Sequence, residues 1–207
     1  MAKPKGIMLA TMEPPPTMEE EFNDWYDTEH FPERKNTDGF LCAQRYVCLQ
    51  GWPKYLAFYD LESVDVLQGP AYRAYTGKNL SVWSHRILAR VLGEYRAVGV
   101  LVYPKDVVSV AKSERAIITI IRFVGVRKGG EAKIVAGLRQ RFESLSQVRQ
   151  LRVFRSEDTL GKEYLGVLEQ HAPLADYSLD PNLFGRQAGT VRMVNSYTAY
   201  WRKGFNE

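Results

Sequence analysis

Cysteine is scarce in this chain. Two occur, Cys42 and Cys48, in one segment that reads as a strand. Six extended residues hold them roughly 20 Å apart. A disulfide needs Cα atoms within about 7 Å, so they cannot pair with each other and read as reduced, packed thiols. The three histidines, His30, His85 and His171, stand far apart. No HxH, HExxH or CxxC spacing occurs, and nothing argues for a metal site. No apolar run approaches the ~20 residues that cross a bilayer, so no membrane partner is expected. The opening MAKPKGIMLATMEPPP has too short an apolar segment for a signal peptide. The chain reads as soluble and cytoplasmic. Phosphate loops of the GxGxxG or GxxxxGK[ST] type are missing, and so is a GxSxG elbow. The 28 basic residues outnumber the 24 acidic ones by too little to mark a polyanion binder. No basic cluster is interleaved with aromatics, so nucleic acid is not an expected partner.

What is present is an ordered series of short apolar segments in 207 residues. Residues 6–12 (GIMLATM) read as a strand, and PPPT as a break. Thr17 reads as an N-cap, with Glu19, Glu20 and Glu21 where the helix dipole favours them. This helix is expected to reach about His30, because Pro32 disfavours helical geometry at Phe31. Strands follow at 40–49 and 54–61, then a looser stretch with GPAYRAYTGKN. A helix at 80–92 and a strand at 93–103 complete the first half. The second half starts again with a strand at 116–124 and a helix through KGGEAKIVAGLRQRFESL. Strands at 148–155 and 163–169, a Pro/Asp-rich loop at 172–187 and a strand at 190–201 follow.

The halves match in order, and YLAF at 55–58 recurs as YLGV at 164–167. An internal duplication follows, with one repeat over residues 1–110 and another over 111–207. Each reads as a ferredoxin-like βαββ(α)β unit. The expected class is α+β: two tandem units burying their open faces against each other, as one barrel with helices outside antiparallel sheets.

The stretch EFNDWYDTEHFPER carries the densest chemistry. At about 100° per residue, Met18, Trp25, Tyr26 and Glu29 fall within about 60° of Phe22 and form the face against the sheet. Asp24, Asp27, Thr28 and Glu20 point to solvent on the same wheel. Glu29 is a carboxylate on an apolar face, and a helix-end partner of an arginine is its plainer reading. His30 sits at the edge of that face, about 80° round. The helix C-terminus raises a histidine's pKa and burial lowers it, so His30 is placed to work as acid or base near neutrality. A structural hydrogen bond to a loop carbonyl explains its position as well. His85 falls off its helix's apolar stripe and reads as a surface residue, and His171 as a loop residue. Arg45 and Tyr46 lie on opposite strand faces, so one alone can reach a cavity. Tyr59, Arg96, Arg192, Asn195 and Tyr197 carry the same ambiguity. The 12 tyrosines and 4 tryptophans would suit an aromatic ligand if some line a cavity, although most must fill space. The loop with Tyr72 and Tyr75 reads as a lid or a simple connection.

FNDWYDTEHFPER, then GFLCAQRYV, YLAFYDLES and GPAYRAY, resembles the dimeric α+β barrel superfamily, in particular two-repeat members with a W-Y-x-x-E-H-x-P helix. The resemblance is architectural over most of the chain and specific over about residues 20–75. That superfamily includes cofactor-independent monooxygenases, cyclases, isomerases, lyases, haem enzymes and non-enzymatic stress proteins, so it narrows shape more than chemistry. In related barrels a histidine ending the first helix often projects into the cavity. The resemblance therefore implies His30 as general acid or base, with Glu29 or Arg45 orienting or charge-balancing it. Trp25, Tyr26, Tyr46, Tyr59 and Tyr72 are the candidate substrate-binding residues, with packing the alternative for Trp25 above all. The expected activity is a cofactor-independent lyase or isomerase on a small aromatic, phenolic substrate inside the barrel, as in formaldehyde loss from a lignin-type dimer. A cofactor-free monooxygenase and a non-catalytic binding barrel are the alternatives. No cofactor is called for, although His30 or His85 is available as a haem ligand. A homodimer stays open.

Overall fold

A computed structural model describes residues 3–110, 116–158 and 161–202. Eight strands close into one barrel: β1 Gly6–Glu13, β2 Phe40–Gln50, β3 Tyr55–Leu61, β4 Leu92–Tyr103, β5 Ile117–Val124, β6 Val148–Asp158, β7 Gly161–Gln170 and β8 Val191–Ala199. The order around the barrel is β1-β3-β2-β8-β5-β7-β6-β4, and every neighbouring pair is antiparallel. The first four strands stand in the order β4-β1-β3-β2 and the last four as β8-β5-β7-β6. The expected α+β class, with helices outside antiparallel sheets, is what the chain adopts.

Alternation decides which side chains enter the barrel. Ile7, Leu9, Leu56, Phe58, Ile118, Ile120, Phe154, Leu165, Val167, Tyr46 and Tyr197 pack together inside it. An eight-stranded barrel can be filled by its own side chains or hold one small ligand, and here the side chains fill it. The expectation of a ligand cavity within the barrel is therefore corrected: space for a small molecule lies outside it, between sheet and helices. Tyr46 is corrected with it. It is 1% exposed in the barrel core, and its neighbour Arg45 faces the helices. The barrel also encloses Arg152 between Asp60 and Glu169, all but sealed from water. Asp60 and Glu169 accept from the backbone N–H groups of Ser109 and Val110 respectively, tying the chain after β4 over one barrel end.

The outer face of β1, β3 and β4 is covered by α1 (Glu19–Trp25), α2 (Phe31–Lys35), α3 (Pro70–Arg73) and α4 (Val82–Leu88). The core of this layer holds Phe22, Trp25, Tyr26, Tyr55, Tyr59, Leu61, Tyr72 and Ile87. On the other half, α5 (Gly130–Leu138) and α6 (Pro181–Phe184) cover β5, β6 and β7. Two helix expectations need correction. Thr17 caps nothing: a 3-10 turn at Pro16–Met18 precedes α1, with no side-chain cap. Nor does the chain stop before Pro32. A π turn at Tyr26–His30, closed by Phe31 N–H donating to Tyr26 O, separates α1 from α2. Pro32 then lies in the first turn of α2, where a missing N–H and a fixed φ do little harm. Cys42 and Cys48 form no disulfide.

A candidate active site between the helices and the sheet

The π turn sets the site. Its extra residue per turn rotates everything beyond Tyr26 relative to a regular helix. His30 comes to face the sheet and is 5% exposed. Its ring packs against Trp25 at 4.1 Å and Tyr26 at 5.0 Å between centroids. Glu29 turns sideways instead. It accepts from Trp25 Nε1 at 3.2 Å, Ser81 Oγ at 2.5 Å and Ser84 Oγ at 3.0 Å. It clamps this turn to α4, and no arginine is among these partners.

Asp27, expected at the surface, is 8% exposed. It forms a buried ion pair with Arg45, whose Nη2 donates to Asn23 Oδ1 at 2.7 Å. The Arg45 guanidinium lies 4.0 Å from the Tyr200 ring and 4.3 Å from Tyr26. These contacts explain why β2 turns Arg45 outward: helix α1 and its π turn supply its counter-charge and its aromatic bed.

Beside this cluster is a cavity of about 230 Å³. Met8, Ala10, Met12, Tyr59, Glu94 and Arg96 line it from the sheet. Tyr26, His30 and Arg34 line it from the helices, and Tyr72, Thr76, Gly77, Leu80 and Leu88 from the segment beyond. Of the sequence candidates, the structure thus brings His30, Tyr26, Tyr59 and Tyr72 together. Trp25 backs the His30 ring, Arg45 lies behind Tyr26, Glu29 is on the clamp, and Tyr46 is across the sheet. The stretch read as lid or connection is a wall: Tyr72 stacks on Phe40, and Tyr75 shares a hydrogen bond with Thr37.

Two buried polar atoms of the lining have no hydrogen-bond partner: His30 Nδ1 and Tyr59 Oη. The Tyr26 phenol is near enough to Tyr59 to influence its ionisation, but does not reach it in hydrogen-bonding geometry. Buried polar groups are ordinarily satisfied, so a pair of exceptions in one cavity is informative. Burial, then Arg34 and Arg45, hold the His30 pKa well below the usual histidine value. The ring is neutral at pH 7 and able to accept a proton. Burial pushes the Tyr59 and Tyr26 phenols above theirs, so both stay protonated. Arg34 is 5% exposed and donates to His30 O at 2.8 Å. Its Nη1 also lies 3.2 Å from Glu33 Oε2. Reading Pro32 as a stop hid Arg34. The signal for it was present, an i, i+4 spacing from His30. Arg96, whose facing the sequence left open, also lines the cavity, and Glu94 on the same strand face was missed because both faces of this sheet half are partly covered.

His85 and His171 are exposed. No cluster of His, Cys, Asp and Glu able to hold a metal occurs among the described residues. None of the helices described is long and apolar enough to cross a membrane.

No protein-family model matches the chain, and no curated protein matches it. Solved structures share its shape. An anthrone oxidase-like protein superposes with a TM-score of 0.69 at 11% identity, over 96% of this chain and 92% of its own. A chlorite dismutase mutant from Candidatus Nitrospira defluvii gives 0.60 at 13% identity, over 97% and 93%. A heme-binding protein from Thermus thermophilus gives 0.53 at 10%, over 96% and 92%. The chain therefore has the dimeric α+β barrel fold. Its residues do not fit a haem. The space beside His30 is about 230 Å³, room for one substituted ring rather than four fused into a macrocycle. The barrel interior is packed, and the remaining histidines face solvent.

Proposed function

We propose that this cavity binds a small phenolic substrate and that His30 acts on it as general base and then acid, in a cofactor-independent lyase or isomerase step. The observation that carries the reading is the pair of buried, unpartnered atoms, His30 Nδ1 and Tyr59 Oη, in one aromatic-walled cavity. A substrate hydroxyl between them would satisfy both. Neutral His30 takes the phenol proton. The imidazolium formed is opposed by burial and by two guanidiniums, so it persists only while the substrate anion stays beside it. Tyr59 and Arg34 favour that anion. The phenolate then expels a benzylic or side-chain group through a quinone-methide-like intermediate, and His30 returns the proton. Formaldehyde loss can follow where the carbon next to the benzylic one carries a hydroxymethyl group: a base takes that hydroxyl's proton, formaldehyde departs, and the C–C electron pair rearomatises the quinone methide. Trp25 and Glu29 fix the ring of His30 and its turn, and Arg45 orders Tyr26 from behind. The site belongs to the first repeat, residues 1–110, of a chain read as two.

A second reading is cofactor-free oxidation, in which the bound phenolate reacts with O₂. The shape shared with an anthrone oxidase-like protein favours it. Both are tested by product analysis on single-ring phenols with chelated protein, with and without oxygen, comparing wild type and His30→Ala. Anaerobic turnover lost in the variant supports the base-driven lyase or isomerase. Turnover that waits for oxygen supports the second reading. Undiminished turnover in a folded His30→Ala protein rejects His30 as the base.

A further inference from the structure

We infer that the ligand of this cavity is a single-ring aromatic acid: a ring with a hydroxyl directed at His30 and Tyr59, and a carboxylate received by Arg96. The inference rests on the cavity being a ligand site, as proposed above, and adds the ligand's size and charge.

Size follows from volume. A cavity of about 150 Å³ is enough for benzene. The 230 Å³ here exceeds that by room for a few further heavy atoms. One substituted ring fills the space, and a second ring would have to project from its open side. Helix α2 and the 70–80 segment wall the space on the outside and leave it open toward Glu94 and Arg96. Helix and segment are held by the Thr37–Tyr75 hydrogen bond and by Arg34 over the Tyr75 ring at 5.2 Å.

Charge follows from the arginines. Arg45 is neutralised by Asp27, and Arg34 is engaged by the His30 carbonyl and Glu33. Arg96 differs. It lines the cavity from β4, at the more exposed end, and pairs with no carboxylate among the described residues. Its Nη2 reaches Tyr72 Oη at 3.3 Å and Met8 Sδ at 3.4 Å, both on the cavity wall. A thioether is a weak acceptor and a phenol oxygen a neutral one. Arg96 is an exposed residue whose charge water solvates; these contacts hold its guanidinium at the mouth of the cavity, where an incoming carboxylate can replace that water. A carboxylate is the planar anion that such a fork receives best. Glu94, two residues earlier on the same strand face, lines the same space and would repel a carboxylate set anywhere but against Arg96. The pair therefore sets orientation, with the acid toward β4 and the hydroxyl toward the π turn.

The test is calorimetric titration of wild type, Arg96→Gln and Arg96→Lys with three probes: 4-hydroxybenzoate, its methyl ester and 4'-hydroxybiphenyl-4-carboxylate. 4-Hydroxybenzoate is expected to bind wild type at least about tenfold tighter than the ester, the scale of one charge-assisted hydrogen bond at a partly exposed site. Arg96→Gln is expected to erase that preference while ester binding stays, which also shows the variant folded. Arg96→Lys should keep part of it. The two-ring acid should bind more weakly than the one-ring acid. Ester binding equal to acid binding, a preference that survives Arg96→Gln, or tighter binding of the two-ring acid would overturn the inference. In those cases ester binding lost in Tyr59→Phe would show that the cavity reading still stands. No binding of any probe to wild type would remove both.

Discussion

Tyr59→Phe separates function from stability at one atom. The Tyr59 side chain is 1% exposed, and its ring is held between Phe31 at 6.0 Å and Phe40 at 5.7 Å. Phenylalanine keeps those contacts. What it removes is a hydroxyl with no hydrogen-bond partner. A buried, unsatisfied polar group costs about 1–3 kcal/mol, so its loss should stabilise the unliganded protein by about 1 kcal/mol. For a chain of this length that raises Tm by about 2–4 °C. Tyr55→Phe supplies the opposite sign. Tyr55 Oη donates to Glu19 Oε1 at 2.6 Å and accepts from Asn23 Nδ2 at 3.0 Å. Its removal should cost about 1.5–3 kcal/mol, as for a hydrogen bond to a charged group. Urea unfolding and thermal scans of both variants without ligand measure the contrast. Ligand affinity should fall in Tyr59→Phe while stability rises. If Tyr59→Phe loses as much stability as Tyr55→Phe, the hydroxyl has a partner in the folded chain and the case for an open polar socket fails.

Two further perturbations test the electrostatics. The folded-state pKa of His30 lies well below the ordinary 6.5. Below that value the unfolded chain binds a proton that the folded chain refuses, so stability should fall as pH drops from about 7, by up to ~1.4 kcal/mol per pH unit until the folded value is reached. His30→Gln should remove that slope, and a profile as steep in the variant as in wild type would refute the assignment. Removing one partner of the buried Asp27–Arg45 pair leaves the other uncompensated: Asp27→Ala should cost about 3–5 kcal/mol, while Asp27→Leu with Arg45→Met should recover most of it. Chemical denaturation of wild type, Asp27→Ala, Asp27→Leu, Arg45→Met and the double variant checks this, and additive losses would show the two residues are not coupled.

Element order, the antiparallel sheet and the outer helices were legible in the sequence, because short apolar runs between turn signals constrain a closed sheet strongly. The facing of the strands was not. All seven residues of β3 are buried, so alternation is silent where barrel core and helix layer both need apolar side chains. Hence Tyr46 and Arg45 could not be sorted, nor barrel interior told from helix layer. The site was half legible. His30, Tyr26, Tyr59 and Tyr72 stood out by type. A regular wheel misplaced Glu29 and Asp27, because nothing in composition marks where a helix widens into a π turn.

The π turn is not by itself the site. The second half has one too, at Arg139–Glu143 after α5. There the turn buries Phe142, whereas the first turn buries Tyr26, Asp27 and His30. Phe184 stacks on Phe123 at 5.9 Å and closes against α5: a Cβ on Gly137 would come within 2.8 Å of the Phe184 ring. Leu138 lies as close to Gly166 on β7. That layer is packed with hydrocarbon, as a helix-covered sheet should be when nothing is to bind. In the first half the cavity is lined by groups that pack less economically: a histidine, three phenols and two arginines. One of those phenols, Tyr59, and the histidine are left unsatisfied. Fold geometry alone would have allowed the hydrocarbon solution twice. The second half is not without space: a pocket of about 740 Å³ lies over Val124, Lys128 and Gln187, and Gln187 Oε1 is also buried without a hydrogen-bond partner. What sets the proposed site apart is an aromatic-walled cavity that holds two such atoms at once, His30 Nδ1 and Tyr59 Oη.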